Sequence, residues 1–245
     1  MSANKELIEK LREDILLWQG FKPALAAQSD AIGLGEIENA FPNKVFPRKA
    51  IHEFITISPE QTAASDGFIG GLLAVLMQDG AACVWISTSR KLFPVSLRSF
   101  NADPERIIFM DVASEKDALW VMEEALKCEG LAAVVAELSN LSIIESRRLQ
   151  LAVEQSGVTG LLLRKDERKT TSSVATARWK ISPMPSETED QMPGVGFPRW
   201  KVELTKVRNG NPGSWTMEWG GDRFVEIADT QKPDVWLDSE ERQIG

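Results

Sequence analysis

His52 is the one histidine in the chain, and its two cysteines, Cys83 and Cys128, form no CxxC pair. That removes the usual zinc sites and leaves only His52 for any dyad or triad that sets an imidazole beside a nucleophile. His52 stands next to Glu53 at the head of an apolar run, and there it reads as a structural residue rather than a base. A phosphate site would require glycines whose amides converge, a lysine for charge and a hydroxyl for magnesium, in the pattern GxxxxGK followed by Ser or Thr. Such a loop belongs after the first strand of an α/β unit, where this chain has SPEQTAASDG, Ser58 to Gly67. The segment holds no lysine or arginine, its glycine comes late, and Glu60 and Asp66 would repel a triphosphate. Glu137, at the end of LAAVVAE, occupies the place of an acid that would hold a magnesium shell. Without the loop it reads instead as a cap of the next helix or a partner for an arginine.

The chain has 245 residues, 28 Lys+Arg against 36 Asp+Glu, and a sequence pI near 4.9. An acidic balance excludes a basic protein that coats nucleic acid. With 43% hydrophobic residues the composition is globular, sufficient for one large domain. No apolar stretch approaches the roughly 20 residues of a membrane span. The first residues, MSANKELIEKLRED, alternate charges where a signal peptide would have an apolar core. The expectation is a cytoplasmic protein with reduced thiols.

The elements that must position these residues follow from periodicity. In NKELIEKLREDILLWQ, residues 4–19, Leu7, Leu11, Ile15 and Trp18 share one side of a helix. Residues 1–20 are therefore read as an amphipathic helix, 21–50 as an irregular lead-in rich in Gly and Pro, and 51–227 as the main domain. Within that domain, strands are expected at Ile51–Ser58, Ala82–Ser87, Arg106–Asp111, Leu131–Glu137 and Gly160–Arg164. Helices are expected at Phe68–Gln78, Glu115–Cys128 and Ser142–Gln155. Short apolar runs alternating with helices predict a mostly parallel α/β sheet. Gly70 and Gly71, inside the first of these helices, are expected to allow close packing on the sheet.

After Arg164 the pattern becomes alternation and turns: ARWKIS, WKVELTKV, the turn NGNPG and then SWTMEW, an antiparallel C-terminal extension. Trp179, Trp200, Trp215 and Trp219 could stack bases, but alternate strand positions read as core or interface. Arg164 to Arg208 carries ten Lys+Arg against six acids, a local +4 on a chain of −8. Arg164, Lys165, Arg168 and Lys169 are the candidates for DNA contact. Residues 228–245 read as a polar, mobile tail with one apolar cluster, Val235-Trp236-Leu237.

Several segments together resemble the RecA recombinase fold and, within it, the ImuA family. They are His52-Glu53 after Ala50, DALWVMEEAL at Asp117–Leu126, SRRLQLAVE at Ser146–Glu154 followed by GLLLR, RWKISPMPS at Arg178–Ser186, and GFPRWKVELTKVRNGNPGSWTMEW at Gly196–Trp219. The resemblance runs from the N-terminal helix to about Val225. It implies a RecA-like core without nucleotide chemistry, hence no enzyme activity and no cofactor. It also implies an SOS-induced accessory role in error-prone translesion synthesis. The implied partners are an ImuB-like inactive Y-family polymerase, RecA and an error-prone polymerase III alpha subunit. The rival readings are a SulA-like inhibitor of cell division and a RecA-like ATPase with an unorthodox phosphate loop. Contact with partners is expected through the stripe Leu7, Leu11, Ile15 and Trp18 and through Val235, Trp236 and Leu237, because ends of a chain can dock without disturbing a sheet.

Overall fold

The computed structural model describes residues 31–165, 173–187 and 195–227, together with positions 11, 14 and 15. Nine strands form one sheet in the order β3-β2-β4-β5-β1-β6-β7-β8-β9. The strands are β1 (Ile51–Thr56), β2 (Ala82–Ser87), β3 (Ile107–Asp111), β4 (Leu131–Glu137), β5 (Thr159–Lys165), β6 (Ala177–Met184), β7 (Arg199–Val207), β8 (Gly213–Trp219) and β9 (Phe224–Ile227). From β3 to β6 every pairing is parallel. From β6 to β9 every pairing is antiparallel. This is the expected α/β class, a mostly parallel sheet with an antiparallel C-terminal extension.

The apolar strands are central because both of their faces are covered. On one face lie α1 (Pro59–Leu76), the turns of residues 32–46 and a 3-10 segment, Pro94–Phe100. On the other lie α2 (Glu115–Leu126) and α3 (Ile143–Ser156), which seal Ile51, Val84, Val134 and Leu162. Ser114 caps α2, and Ser142 with Glu145 forms a reciprocal capping box on α3. Gly157, at φ +79, ends α3 in the left-handed conformation that glycine adopts without steric cost. Within residues 31–50, the buried Glu38 carboxylate accepts the amides of Ile32 and Leu34 at 3.1 and 2.9 Å, which fixes a stretch with little regular structure.

Two expectations about α1 are corrected. The segment Ser58–Gly67 is not a loop, since β1 ends at Thr56 and the helix begins at Pro59. Ser58 is its N-cap, accepting from the Gln61 amide at 3.3 Å, while the Gln61 side chain accepts from the Ile57 amide at 3.0 Å. Proline in the first turn completes a strong start signal. Nor do all its glycines pack on the sheet. A Cβ on Gly67 would lie 2.7 Å from the Phe100 ring, and one on Gly70 3.1 Å from Leu97, so these two receive the 3-10 segment; only Gly71 meets sheet residues, Phe224 and Trp219. The short edge strand β9, which the sequence reading did not separate, supplies that Phe224.

Candidate functional site

The carboxyl ends of β1, β2, β4 and β5 border a crevice lined by Thr56, Thr62, Asp66, Ser89, Lys91, Glu115, Glu137 and Lys165. It opens beside the start of α1 into a space of about 320 Å³. In doubly wound sheets this is where ligands bind, between strand ends and helix N-termini. Here the junction from β1 into α1 is only Ile57-Ser58, too short to curl amides around an anion. Of the amides at this helix start, that of Gln61 is taken by the Ser58 hydroxyl, and the helix's own bonding begins at Thr62, whose amide donates to the Ser58 carbonyl at 3.0 Å. The Thr62 hydroxyl donates to Ser58 O at 3.1 Å, and Gln61 reaches across to the Ser182 hydroxyl on β6 at 3.2 Å.

Carboxylates dominate the floor. Glu137 accepts from the hydroxyls of Ser87 at 3.0 Å and Ser89 at 2.7 Å, so it neither caps a helix nor pairs with an arginine among the described residues. Glu115 receives the amides of Ser139 and Asn140 at 3.1 and 3.2 Å. Burial pushes the Asp66 carboxyl up to about 7; the charge of Glu137 adds to this and that of Lys165 partly offsets it. Lys91 and Lys165 reach the rim from the ends of other strands. The sequence reading named Lys165 as a candidate for DNA contact but not its place in this crevice, and it missed Lys91, because crossovers bring the two together there. Among the described residues no group of three or more His, Cys, Asp or Glu is arranged to hold a metal ion.

His52 is a core residue. Its Nε2 donates to the Pro47 carbonyl at 2.8 Å, its Nδ1 accepts from the Trp179 indole at 3.2 Å, and its ring stacks on Phe46. With one nitrogen donating and one accepting, the ring is neutral, and burial holds its pKa down at about 4. Trp179, Trp200 and Trp219 are also buried, which leaves Trp215, half-buried, as the most accessible of that set.

The expected contact residues separate. Arg164 is corrected: it is buried, with Nη1 at 2.9 Å from Glu53, because alternation on β5 turns it toward the covered face beside α3. A guanidinium so enclosed does not meet DNA. Lys165, the next residue, is exposed and lines the crevice. Leu11 and Ile15 lie in helical conformation and are 51% and 48% exposed. Leu7, Trp18, Arg168, Lys169, Val235, Trp236 and Leu237 lie outside the described residues.

Sheet register also arranges part of the basic segment Arg164 to Arg208 as solvated outer residues of strands, an alignment the sequence did not give. Outward side chains of β6 to β9 align in rows: Met184, Arg199, Glu218 and Val225; then Ser182, Lys201, Thr216 and Ile227; then Lys180, Glu203 and Ser214; then Arg178 and Lys206. Helices α2 and α3 pack over β1, β2, β4 and β5, so no helix among the described residues covers these rows. No helix among the described residues is long and apolar enough to cross a membrane.

No family model matches the chain. Among solved structures it is similar to SulA from Pseudomonas aeruginosa, with a TM-score of 0.41, 22% identity, and 47% of this chain and 98% of that one covered. The Protein ImuA sequences of two Caulobacter vibrioides strains, NA1000 / CB15N and ATCC 19089 / CIP 103742 / CB 15, are each 32% identical to it over 200 residues, spanning 77% of this chain and 82% of the relative. With identity at that level across most of both lengths, the chain belongs to the ImuA family.

Proposed function

We propose that this ImuA-family chain is a non-enzymatic adaptor of SOS-induced, error-prone translesion DNA synthesis in the cytoplasm. It links an ImuB-like inactive Y-family polymerase, RecA and an error-prone polymerase III alpha subunit. Family membership supports the setting of DNA damage and mutagenesis. The observation that carries the adaptor reading is the junction at Ile57-Ser58. Where phosphate chemistry needs a glycine-rich turn, β1 passes directly into a serine-capped helix, and the crevice floor carries Asp66 and Glu137. Catalysis of phosphoryl transfer is mostly positioning and charge stabilisation of the phosphates. A degenerate phosphate site of this form supplies neither converging amides nor a loop lysine. The exposed apolar residues Leu11 and Ile15 support a helix that docks on a partner.

The test is retention of an ImuB-like protein and of RecA on resin bearing the full-length chain, with binding of a fluorescent ATP analogue in magnesium measured in parallel. Retention of either protein with no saturable nucleotide binding is expected. Low-micromolar nucleotide binding, or retention of neither protein, overturns the reading.

A further inference from the structure

β3 is one edge of the nine-stranded sheet, and its sequence, Ile107-Ile108-Phe109-Met110-Asp111, carries little of the protection usual at an edge. It has no proline or lysine and pairs with β2 without a bulge, whereas edges are ordinarily blunted by such devices or by shortness. The opposite edge strand, β9, has only four residues. The one charge on β3, Asp111, is already paired, with Arg90 Nε at 2.9 Å. Ile108 and Met110 share the face of Val84 and Ile86, which α2 and α3 seal, yet they are 54% and 37% exposed. The reason is that α2 packs over β2 and β4, one and two strands inward.

The ladder fixes which backbone groups of β3 point away from the sheet. The Val112 amide donates to the Ser87 carbonyl at 3.0 Å, and in a parallel pair alternate residues make both of their bonds to the neighbour. Ile108 and Met110 therefore turn their amides and carbonyls to β2, while Ile107, Phe109 and Asp111 turn theirs outward. The Ile107 amide is occupied by the Pro104 carbonyl. Among the described residues no hydrogen bond fills the amides of Phe109 and Asp111 or the carbonyls of Ile107 and Phe109.

A second copy of the same strand complements this edge. Around a two-fold axis normal to the sheet, side chains stay on their own face only if opposing residue numbers sum to an even value, and the outward backbone groups meet only if both numbers are odd. The register centred on Phe109 satisfies both conditions. The two Phe109 residues exchange both bonds, and each Asp111 amide reaches the partner's Ile107 carbonyl. Ile108 then faces the partner's Met110 as a non-hydrogen-bonded pair, the kind in which side chains lie closest. Apolar pairs of this kind stabilise a sheet, and no like charges stand opposite each other. We propose that β3 is a homodimer interface, in which two copies pair antiparallel about Phe109 and join their sheets into one. The contact draws on no other protein and so stands apart from the adaptor role.

Sedimentation equilibrium of the full-length chain over a dilution series of about a hundredfold tests the stoichiometry. The mass should rise from 27.2 kDa toward twice that value at the concentrated end. Ile108→Lys, a lysine at an exposed edge position, should weaken association by at least about tenfold and leave the melting temperature of the dilute chain unchanged. The register is read by oxidation on a Cys128→Ser background, which removes the exposed thiol. Cα atoms of a non-hydrogen-bonded pair lie about 4.5 Å apart, within disulfide reach, whereas identical positions of the two copies, two residues out of step, lie about 8 Å apart and beyond it. An Ile108→Cys chain mixed with a Met110→Cys chain should therefore form a mixed disulfide dimer at least about fivefold faster than either chain links to itself. A mass of one chain at every concentration overturns the proposal, and is the result expected if a strand from elsewhere in the chain or from another protein is the occupant. A dimer that Ile108→Lys leaves intact, or equal linking in the mixed and unmixed samples, overturns it as well.

Discussion

Arg164 Nη1 lies 2.9 Å from Glu53 Oε1 inside the sheet, with side-chain exposures of 3% and 0%. The other carboxylate oxygen takes Arg178 Nε and Nη2 at 3.0 and 2.9 Å, so one buried anion secures two cations from neighbouring strands. Removing one partner of a buried pair strands the other charge, at a cost of about 3–5 kcal/mol. Glu53→Gln should therefore lose at least about 3 kcal/mol, whereas Arg164→Met should cost less, because Arg178 still pairs with the carboxylate. Denaturant unfolding of the two variants checks the order; equal losses would show that Arg178 contributes nothing.

The pH dependence combines two opposite signs. Burial lowers His52 from 6.5 to about 4, so between those values the unfolded chain binds a proton that the folded chain refuses. This part of the stability is present above pH 6.5 and falls by up to about 3 kcal/mol as pH drops to 4. Asp66 is raised from 3.8 to about 7 by burial and then by Glu137. Its contribution is fully present below pH 4 and is lost as pH rises to 7, by up to about 4 kcal/mol. The two nearly cancel. Asp66→Asn should unmask the His52 slope, so that the urea midpoint climbs from pH 4 to 6.5 and exceeds that of the parent at pH 8. A variant whose midpoints follow the parent's at every pH would mean that Asp66 titrates as an ordinary surface acid.

Gly71→Ala should destabilise. Alanine improves helix propensity by about 1 kcal/mol, but its Cβ would lie 2.6 Å from the Phe224 ring and 2.9 Å from that of Trp219. Overpacking of this kind costs about 1–3 kcal/mol, and both rings are buried with little room to move. Gly130 has nothing within 4 Å and no positive φ, so Gly130→Ala should be neutral or slightly stabilising. Thermal melts of the pair decide; a Gly71→Ala melt at or above the parent temperature refutes the clash.

Single-stranded DNA binding by the isolated chain should be weak and steeply reduced by salt, since phosphate contacts release counterions and the net charge is −8. Lys165→Gln should reduce whatever binding exists without affecting folding. Arg164→Met should act on stability alone. Fluorescence anisotropy at two salt concentrations measures this, and tight binding that resists salt would contradict the adaptor reading.

Much of the scaffold was legible because its signals are local. Ala82–Ser87 and Leu131–Glu137 are apolar runs of strand length, and both match the sequence expectation residue for residue. The family was legible too, through the order of several short segments. The start of α1 also carries a local signal, Ser58-Pro59 with Gln61 three positions after the cap, but the small and polar residues that follow, PEQTAASD, have the composition of a loop, and only the cap geometry distinguishes the two.

Other features had no local signal. Whether Arg164 faces solvent or Glu53 depends on which face of β5 lies under α3, and Lys91 and Lys165 share a crevice only because crossovers bring two strand ends together. The rows of Lys180, Glu203, Lys201 and Thr216 depend on register, in which a shift of one residue exchanges every side chain between core and solvent. Composition and periodicity in the sequence determined the class, the order of several short segments the resemblance to the family, and the residues of Ser58 to Gly67 the absence of a glycine-lysine phosphate motif. Tertiary structure alone decided which charges are buried, paired or open to a partner, because pairing requires residues more than a hundred positions apart, such as Glu53 and Arg164, to meet across a sheet.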